Sequence, residues 1–492
     1  MKNIRKICLF VLLLIFSISA FGNTYKGLSK GYQNDIEVEV VLNENGKIND
    51  VKILKNQDTK GIGDIAGKKI PQLIVKKQSL DIDSVAGATI TSEAIVTATA
   101  NAIKAAGLDV KKYGFKEKII KEKDETVKIN PDKMPKKKPI EKVITVKDVK
   151  GREVNLNLPI SSFAVSTMDI MDFIIPLKGK EAFNMLVGSG EDGGHGLNKY
   201  AKLYSPVVGK YMEHTAQISD HNAPFDLEMI LSMQPDVLIV NSAMAAHKYA
   251  LEIEDQLTQA GIKIILIDVP GKKIENSVQQ TMKLLGQIFS EEARAKEVID
   301  FIDTQYNLVL SKDLRNEANK PTVYYEKSGY SQIFGSTSTS NVGWGTIIDL
   351  AGGKNIADDL LMEKAAGKGS GNKLDPEYVL ESNPDFIFVS GINKMWLSSV
   401  SKNNTCSFDI VNRNGWNNLK AIKNKNLYEF AHSTNRSIYG FYPTLKMATI
   451  LYPEKFKGVN PEKILDEFFE KFMLLDSNIS TWLYNIKDEK NK

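Results

Sequence analysis

At roughly 100–200 residues per domain, the 492 residues allow for several domains, each with enough chain to bury a core of its own. A hydrophobic content of 42% and a charged content of 25% exclude wholesale disorder, collagen-like repeats and a polytopic membrane protein. The formal net charge is only +4, and Lys2, Arg5 and Lys6 at the very start supply most of that excess, so no nucleic-acid-binding patch is implied.

The chain opens with MKNIRK, an apolar run from Ile7 to Ile18 and the small-residue stretch SAFGN. This is the charged, apolar and small-residue order of a secretory signal, predicted over residues 1–22 with cleavage after Gly22. The expected product is exported, periplasmic or extracytoplasmic, and soluble; an uncleaved anchor is the alternative. Cys8 stands at the head of the apolar run and not behind it, so the lipoprotein arrangement is missing. After cleavage only Cys406 remains, which excludes an internal disulfide and a multi-cysteine zinc or iron–sulfur site.

Strict alternation over 35–40 (DIEVEV), the turn NENG at 43–46 and a second run from Lys47 predict a β-hairpin. The segment 83–107 (DSVAGATITSEAIVTATANAIKAAG) predicts a helix with Ile95, Ala98, Ala102, Ile103 and Ala106 on one face and Gly107 as its stop. A glycine-preceded helix start offers unpaired N–H groups and a positive dipole end, which suits a phosphate. Ordinary capping by Thr91 or Ser92 accounts for the same residues. From Asp109 to Lys142 there are 12 Lys against 7 Asp and Glu, with Pro131, Pro135 and Pro139 interspersed. That composition predicts a solvated linker over 109–143 between two independent units.

From about residue 144 apolar strands alternate with helices, as in a doubly wound α/β fold. Strands are expected at 236–240, 263–268, 322–326 and 385–390, and a long helical stretch from Ile274 to Asp313, with a restart signal at Ser290, Glu291 and Glu292. Helix, then Gln-Pro-Asp or Asn-Pro-Asp, then strand occurs at both 224–240 and 374–390. Two lobes, 144–273 and 320–492, joined by a connecting helix within 274–319, are the simplest architecture.

Residues 83–89 resemble the Asp-x-x-Ser/Thr-Gly-Ala-Thr/Ser motif of the FMN-binding domain found in exported subunits of NADH:quinone and ferredoxin-linked oxidoreductases. The segment NQDTKGIGD at 56–64 resembles that family's upstream glycine-containing segment. The resemblance implies a small α+β domain over 23–108 and a phosphoester of FMN on Thr89. Asp83, Gly87, Ala88, Thr91, Ser92, Thr59 and Gly61 are the implied flanking determinants. Ala86 stands where the family has Ser or Thr, and Asn56, Asp58 and Lys60 also depart from its pattern. A flavin transferase and a membrane electron donor are implied partners. No glycine-rich dinucleotide fingerprint follows a strand, so a nicotinamide cofactor is not expected on this chain.

The region 145–475, through PFDLEMILSMQPDVLIV, LDPEYVLESNPDFIFVS, GWGTIIDLAGGKNIA and YGFYPTLKMATILYPEKF, resembles the substrate-binding proteins of ABC importers for iron-siderophore, haem and cobalamin chelates. This implies a two-lobed fold with a single long connecting helix and an importer permease as partner. His195, His214 and His221 suit a metal centre, although each taken singly is better explained as a surface or packing residue; Trp344, Tyr330 and Met168 suit apolar walls or plain packing. Arg436 suits an anionic ligand group or a surface ion pair. Glu181 and Glu363 are the expected docking acids. The expected function is capture of a metal chelate, with iron foremost, by a protein whose tethered FMN delivers electrons to it. The linker, ~34 residues long, spans about 30 Å as a flexible coil. A flavin-dependent extracytoplasmic reductase, or a flavin domain that serves only for docking, fits the same residues.

Overall fold

The computed structural model describes residues 23–31, 35–56, 63–85, 88–115, 134–190, 196–209, 214–220, 223–244, 246–327, 334–362, 372–390 and 407–486. It divides into two compact units, one comprising 1–126 with 224–232 and the other 127–223 with 233–492.

In the first unit, β1 (Asn23–Lys30), β2 (Asp35–Leu42) and β3 (Ile48–Lys55) form an antiparallel sheet in the order β1-β2-β3. The alternation read from the sequence puts Ile36, Val38, Val40 and Leu42 on the buried face. Gly46 adopts φ 75°, and the Asn43 side chain accepts from the N–H groups of Asn45 and Lys47, so the hairpin turn is held by local polar bonds. Strand β1, which the sequence did not signal, completes the sheet. Two helices follow, α1 (Gly63–Lys77) and α2 (Thr89–Ala105). Ile95, Ala98, Ala102 and Ile103 are buried as expected, and Gly107 ends the turn at φ 77°. The α2 backbone lies directly on β1, since a Cβ built on Gly27 would sit 1.9 Å from the Ala98 carbonyl oxygen. The domain also runs past the expected boundary at residue 108. Tyr113 donates its hydroxyl to the Gly46 carbonyl at 2.5 Å and accepts the Leu80 N–H on its own carbonyl at 2.7 Å.

In the second unit, the antiparallel pair β4 (Lys142–Lys147) and β5 (Glu153–Leu158) leads into a five-stranded parallel sheet. Its strands are β6 (Phe163–Val165), β7 (Leu186–Gly190), β8 (Ala216–Ser219), β9 (Val237–Asn241) and β10 (Lys263–Ile267), in the order β10-β9-β6-β7-β8. The second sheet is β11 (Thr322–Lys327), β12 (Lys354–Asn355), β13 (Phe386–Ser390), β14 (Leu427–Phe430) and β15 (Leu483–Asn485), in the order β12-β11-β13-β14-β15, with only β15 antiparallel. The repeated Gln/Asn-Pro-Asp motif has a structural cause in each lobe. Gln234 and Asn383 take the left-handed conformation after a helix, at φ 50° and 43°. Asp236 then accepts the N–H groups of Ser161 and Ser162 ahead of β6, and Asp385 accepts the N–H and hydroxyl of Thr322 at the start of β11. Each aspartate thereby pins the neighbouring strand.

After α3 (Met171–Lys178) in the first lobe, the helical stretch expected over 274–313 resolves into α4 (Ile274–Phe289) and α5 (Glu292–Leu310). Ser290 turns left-handed at φ 55°, and the Glu291 N–H returns to the Gly286 carbonyl. The helices then fold back on each other, with Gln279 donating to Asp303 at 2.7 Å. The connector is thus a helical hairpin in which α5 is the longer arm. Arg294 on α5 donates to the Pro176 carbonyl on α3 and to the Lys471 carbonyl on α8 (Pro461–Phe472) of the second lobe, tying both lobes to one helix. A continuous apolar core runs from Phe163 and Met282 through Tyr306 to Trp344 and Phe468.

Within the second lobe, Arg413 makes a two-point pair with Glu326 at 2.7 and 2.8 Å, and its guanidinium stacks over Phe334 and Trp416. Tyr324 and the Gly335 N–H also donate to Glu326. Both charges are buried, so removing one strands the other. Arg413→Ala is expected to cost about 3–5 kcal/mol in urea unfolding, with Glu326→Gln/Arg413→Leu less damaging than the single change.

Candidate functional site

At the start of α2 the cap residue is Ala88, which has no side chain able to accept the first N–H groups, and no acidic residue lies in the first turn. The loop is shaped from within. The buried Ser92 hydroxyl donates to the Ala88 carbonyl at 2.7 Å and accepts the Val85 N–H at 3.1 Å, while the Ala88 N–H bonds the Val85 carbonyl. Thr91 is fully buried beside it. A helix start whose cap residue has no side-chain acceptor and whose first turn has no acidic residue suits the phosphate of a flavin mononucleotide. Ser92 serves this end by fixing the loop, and Asp83 lies exposed in the extended segment that enters it. Thr89 is the first residue of α2, and its side chain is not among those described. Gly87, Thr59 and Gly61 lie outside the described residues.

In the two-lobed unit, the polar groups collect beyond the carboxyl ends of the parallel strands, where open α/β sheets bind ligands. From the first lobe come Thr167 and Asp169 just after β6, with Asp172 at the start of α3. From the second lobe come Lys327 ending β11, Ser390 ending β13, and His432 and Arg436 in the turn after β14. The lobes meet here through an ion pair, with Arg436 Nε 2.7 Å from Asp169 Oδ2. The pair is nearly buried, and Thr167 donates to the other oxygen of Asp169. Tyr200 donates to Asp172 at 3.2 Å. Burial, then the adjacent Asp169 charge, pushes the Asp172 carboxyl well above the usual carboxylate range.

On the opposite wall, Tyr325, Ser390 and His432 form a chain, with Tyr325 Oη 2.6 Å from Ser390 Oγ and Ser390 Oγ 2.9 Å from His432 Nδ1. Burial, reinforced by the charges of Lys327 and Arg436, holds the His432 imidazole well below its usual range, so it is neutral at neutral pH. Lys327 and Arg436 make this wall cationic, with a neutral hydroxyl–imidazole chain beneath it. Such a surface suits an anionic, oxygen-rich ligand.

The sequence-derived candidates divide accordingly. Arg436 is at the cleft, in an ion pair that crosses it. Trp344 is not an open wall: it is buried at the start of α6 (Trp344–Leu350), against Tyr325 and Phe430, so it supports the cleft from below. His214 sits at the opposite, amino end of β8 and bonds the Asn184 carbonyl at 3.1 Å, which is a packing role. Met168 is buried in the core, and Glu181 begins a short surface helix, where it accepts from Asn184. His195, His221, Tyr330 and Glu363 lie outside the described residues. Asp169, Asp172 and Ser390 were not selected from the sequence, and His432 only as one of five histidines; their shared signal is a place at or within a few residues of the carboxyl end of an apolar strand. Among the described residues no cluster of three His, Cys, Asp or Glu is arranged to hold a bare metal ion, and no helix is long and apolar enough to cross a membrane.

The family model for the FMN-binding domain matches residues 31–104, and that for the periplasmic binding protein matches 197–433. NADH:acrylate oxidoreductase of Vibrio harveyi is 35% identical over 83 residues, 17% of this chain but only 8% of that protein, so the likeness is to one domain. Molybdate-binding protein MolA of Haemophilus influenzae is 21% identical over 283 residues, covering 53% of this chain and 73% of that protein. The crystal structure of the TroA-like periplasmic binding protein FepB from Veillonella parvula is similar with a TM-score of 0.60 at 25% identity, over 70% of this chain and 99% of that one. Both resemblances expected from the sequence are borne out: the chain joins an FMN-binding domain to a two-lobed domain of the periplasmic binding protein kind.

Proposed function

We propose that this is an exported binding protein that captures a metal chelate, iron foremost, for an ABC importer, and that FMN esterified to Thr89 delivers electrons to the captured metal. The observation that carries the reading is the pairing, in one chain, of a phosphate-ready α2 start with a two-lobed cleft that has a cationic, oxygen-recognising wall.

Bound FMN would supply two electrons per reduced flavin, enough for two ferric-to-ferrous reductions with release of two protons, and a membrane electron donor would have to replace them. The protein's own part is to hold the phosphate at α2, to tie Val85 and Ala88 to that helix through Ser92, and to present the chelate's anionic oxygens to Arg436 and Lys327. Ferrous iron is held more weakly by oxygen-rich chelators, so reduction favours release.

Expression in a host with a flavin transferase, followed by intact mass and peptide mapping, tests the attachment. The expected result is an added mass of FMN less water on the peptide containing Thr89, absent from Thr89→Ala, with ferric citrate binding unchanged in that variant. An unmodified Thr89 peptide from flavin-free protein contradicts the redox half of the reading. Failure of both proteins to bind any ferric chelate contradicts the other half.

A further inference from the structure

Arg436 has an anionic partner from the protein itself: Asp169 of the first lobe reaches across to within 2.7 Å of Nε. A guanidinium that pairs a carboxylate in this way also pairs the carboxylate or oxo group of a ligand. The second lobe also holds a small hollow at Asn435. A Cβ built on Gly343 would lie 3.2 Å from Ser338 Oγ and 3.9 Å from Asn435 Nδ2, and Asn435 is the residue before Arg436. Gly343 takes φ 54°, a conformation that keeps this space free of a side chain. Ser338 and Asn435 are both more than nine-tenths buried. Among the described residues, Ser338 Oγ and Asn435 Oδ1 have no hydrogen-bond partner. Buried polar atoms are almost always satisfied, so the unpartnered Ser338 hydroxyl, a donor, marks a place for an incoming oxygen, with Asn435 Nδ2 facing the same hollow.

We propose that Asp169 is a built-in competitor that holds Arg436 until an anionic ligand oxygen displaces it, and that the Ser338–Asn435–Gly343 notch receives a second oxygen of the same ligand group. The inference deepens the binding-protein reading and rests on it. The shared chemistry is an anionic group carrying two or more oxygens, offered by a free oxoanion or by a carboxylate arm of a metal chelate. Ligand entry then takes over the guanidinium and leaves Asp169 to its bond from Thr167 or to a proton, so only an anionic group that pairs Arg436 strongly offsets that cost, and neutral chelates leave Asp169 in place.

The sign of the effect makes the idea testable. Full-length protein, its Asp169→Asn variant and its Ser338→Ala variant are titrated calorimetrically with sodium molybdate and with ferric citrate, and the Tm of each is recorded. The expected outcome is binding of one probe by the wild type, binding roughly tenfold tighter in Asp169→Asn and roughly threefold to tenfold weaker in Ser338→Ala. Preference for molybdate identifies a free oxoanion as the source, and preference for ferric citrate identifies a chelate carboxylate. Asp169→Asn binding that is unchanged or weaker than wild type overturns the competitor role while leaving the binding-protein reading intact. If Asp169→Asn does not fold, Ser338→Ala decides, and affinity unchanged there overturns the notch. Binding of neither probe by the wild type overturns the proposal and its ligand class together.

Discussion

The continuous apolar core wrapped around the α4–α5 hairpin is the constraint on which the two-lobed unit depends. It runs from the strands of one lobe, beneath both arms of the hairpin, to the helices of the other, so separating the lobes widely would expose packed surface. Arg294 adds a polar clasp to the same helix by bonding carbonyls on α3 and α8. Lobes held in this way cannot rely on a large hinge motion to recognise a ligand. Recognition must come from small rearrangements of the groups that already face each other across the cleft, and the Arg436–Asp169 pair is the contact best placed to change.

That constraint gives meaning to the distribution of charge. The second-lobe wall carries Lys327 and Arg436 over the neutral Tyr325–Ser390–His432 chain, whereas the first-lobe wall carries Asp169 and Asp172 backed by Tyr200. With the lobes together the opposing charges partly cancel. Burial, then the neighbouring Asp169 charge, pushes Asp172 toward its protonated form, with Tyr200 and Arg436 opposing the shift. The deeper Glu326–Arg413 pair has a different task. Tyr324 and the Gly335 N–H also bond Glu326, so the pair anchors Arg413 and Gly335 to the end of β11.

Much of this was legible in the sequence, wherever a local pattern dictates the structure. Alternation gave β2, with Asn43 and Gly46 marking the turn, and uninterrupted apolar runs gave β9, β10, β11 and β13. Gln234-Pro235-Asp236 and Asn383-Pro384-Asp385 marked the same helix-to-strand joint in both lobes. Less could be read where the decisive partner is remote in sequence. Strand β1 lacks a clean alternation and is defined by pairing with β2 and by α2 resting on Gly27. The fold-back at Ser290 left a restart signal, but its antiparallel packing depends on contacts such as Gln279 with Asp303. Arg436 was recognisable as a cleft residue, yet its partner Asp169 lies 267 positions earlier. His214 was misleading for the same reason, since residue type alone does not tell the amino end of β8 from the carboxyl end.

The central claim is that electrons from the flavin domain reach a metal held in the cleft. The most direct test is anaerobic mixing of the two-electron-reduced, flavin-loaded protein with ferric citrate, with flavin absorbance and ferrous iron followed together. The account predicts faster flavin oxidation in the wild type than in an Arg436→Ala variant carrying the same flavin, with two ferrous ions formed per flavin. Equal oxidation rates in the two proteins, or no acceleration by the chelate, would contradict it.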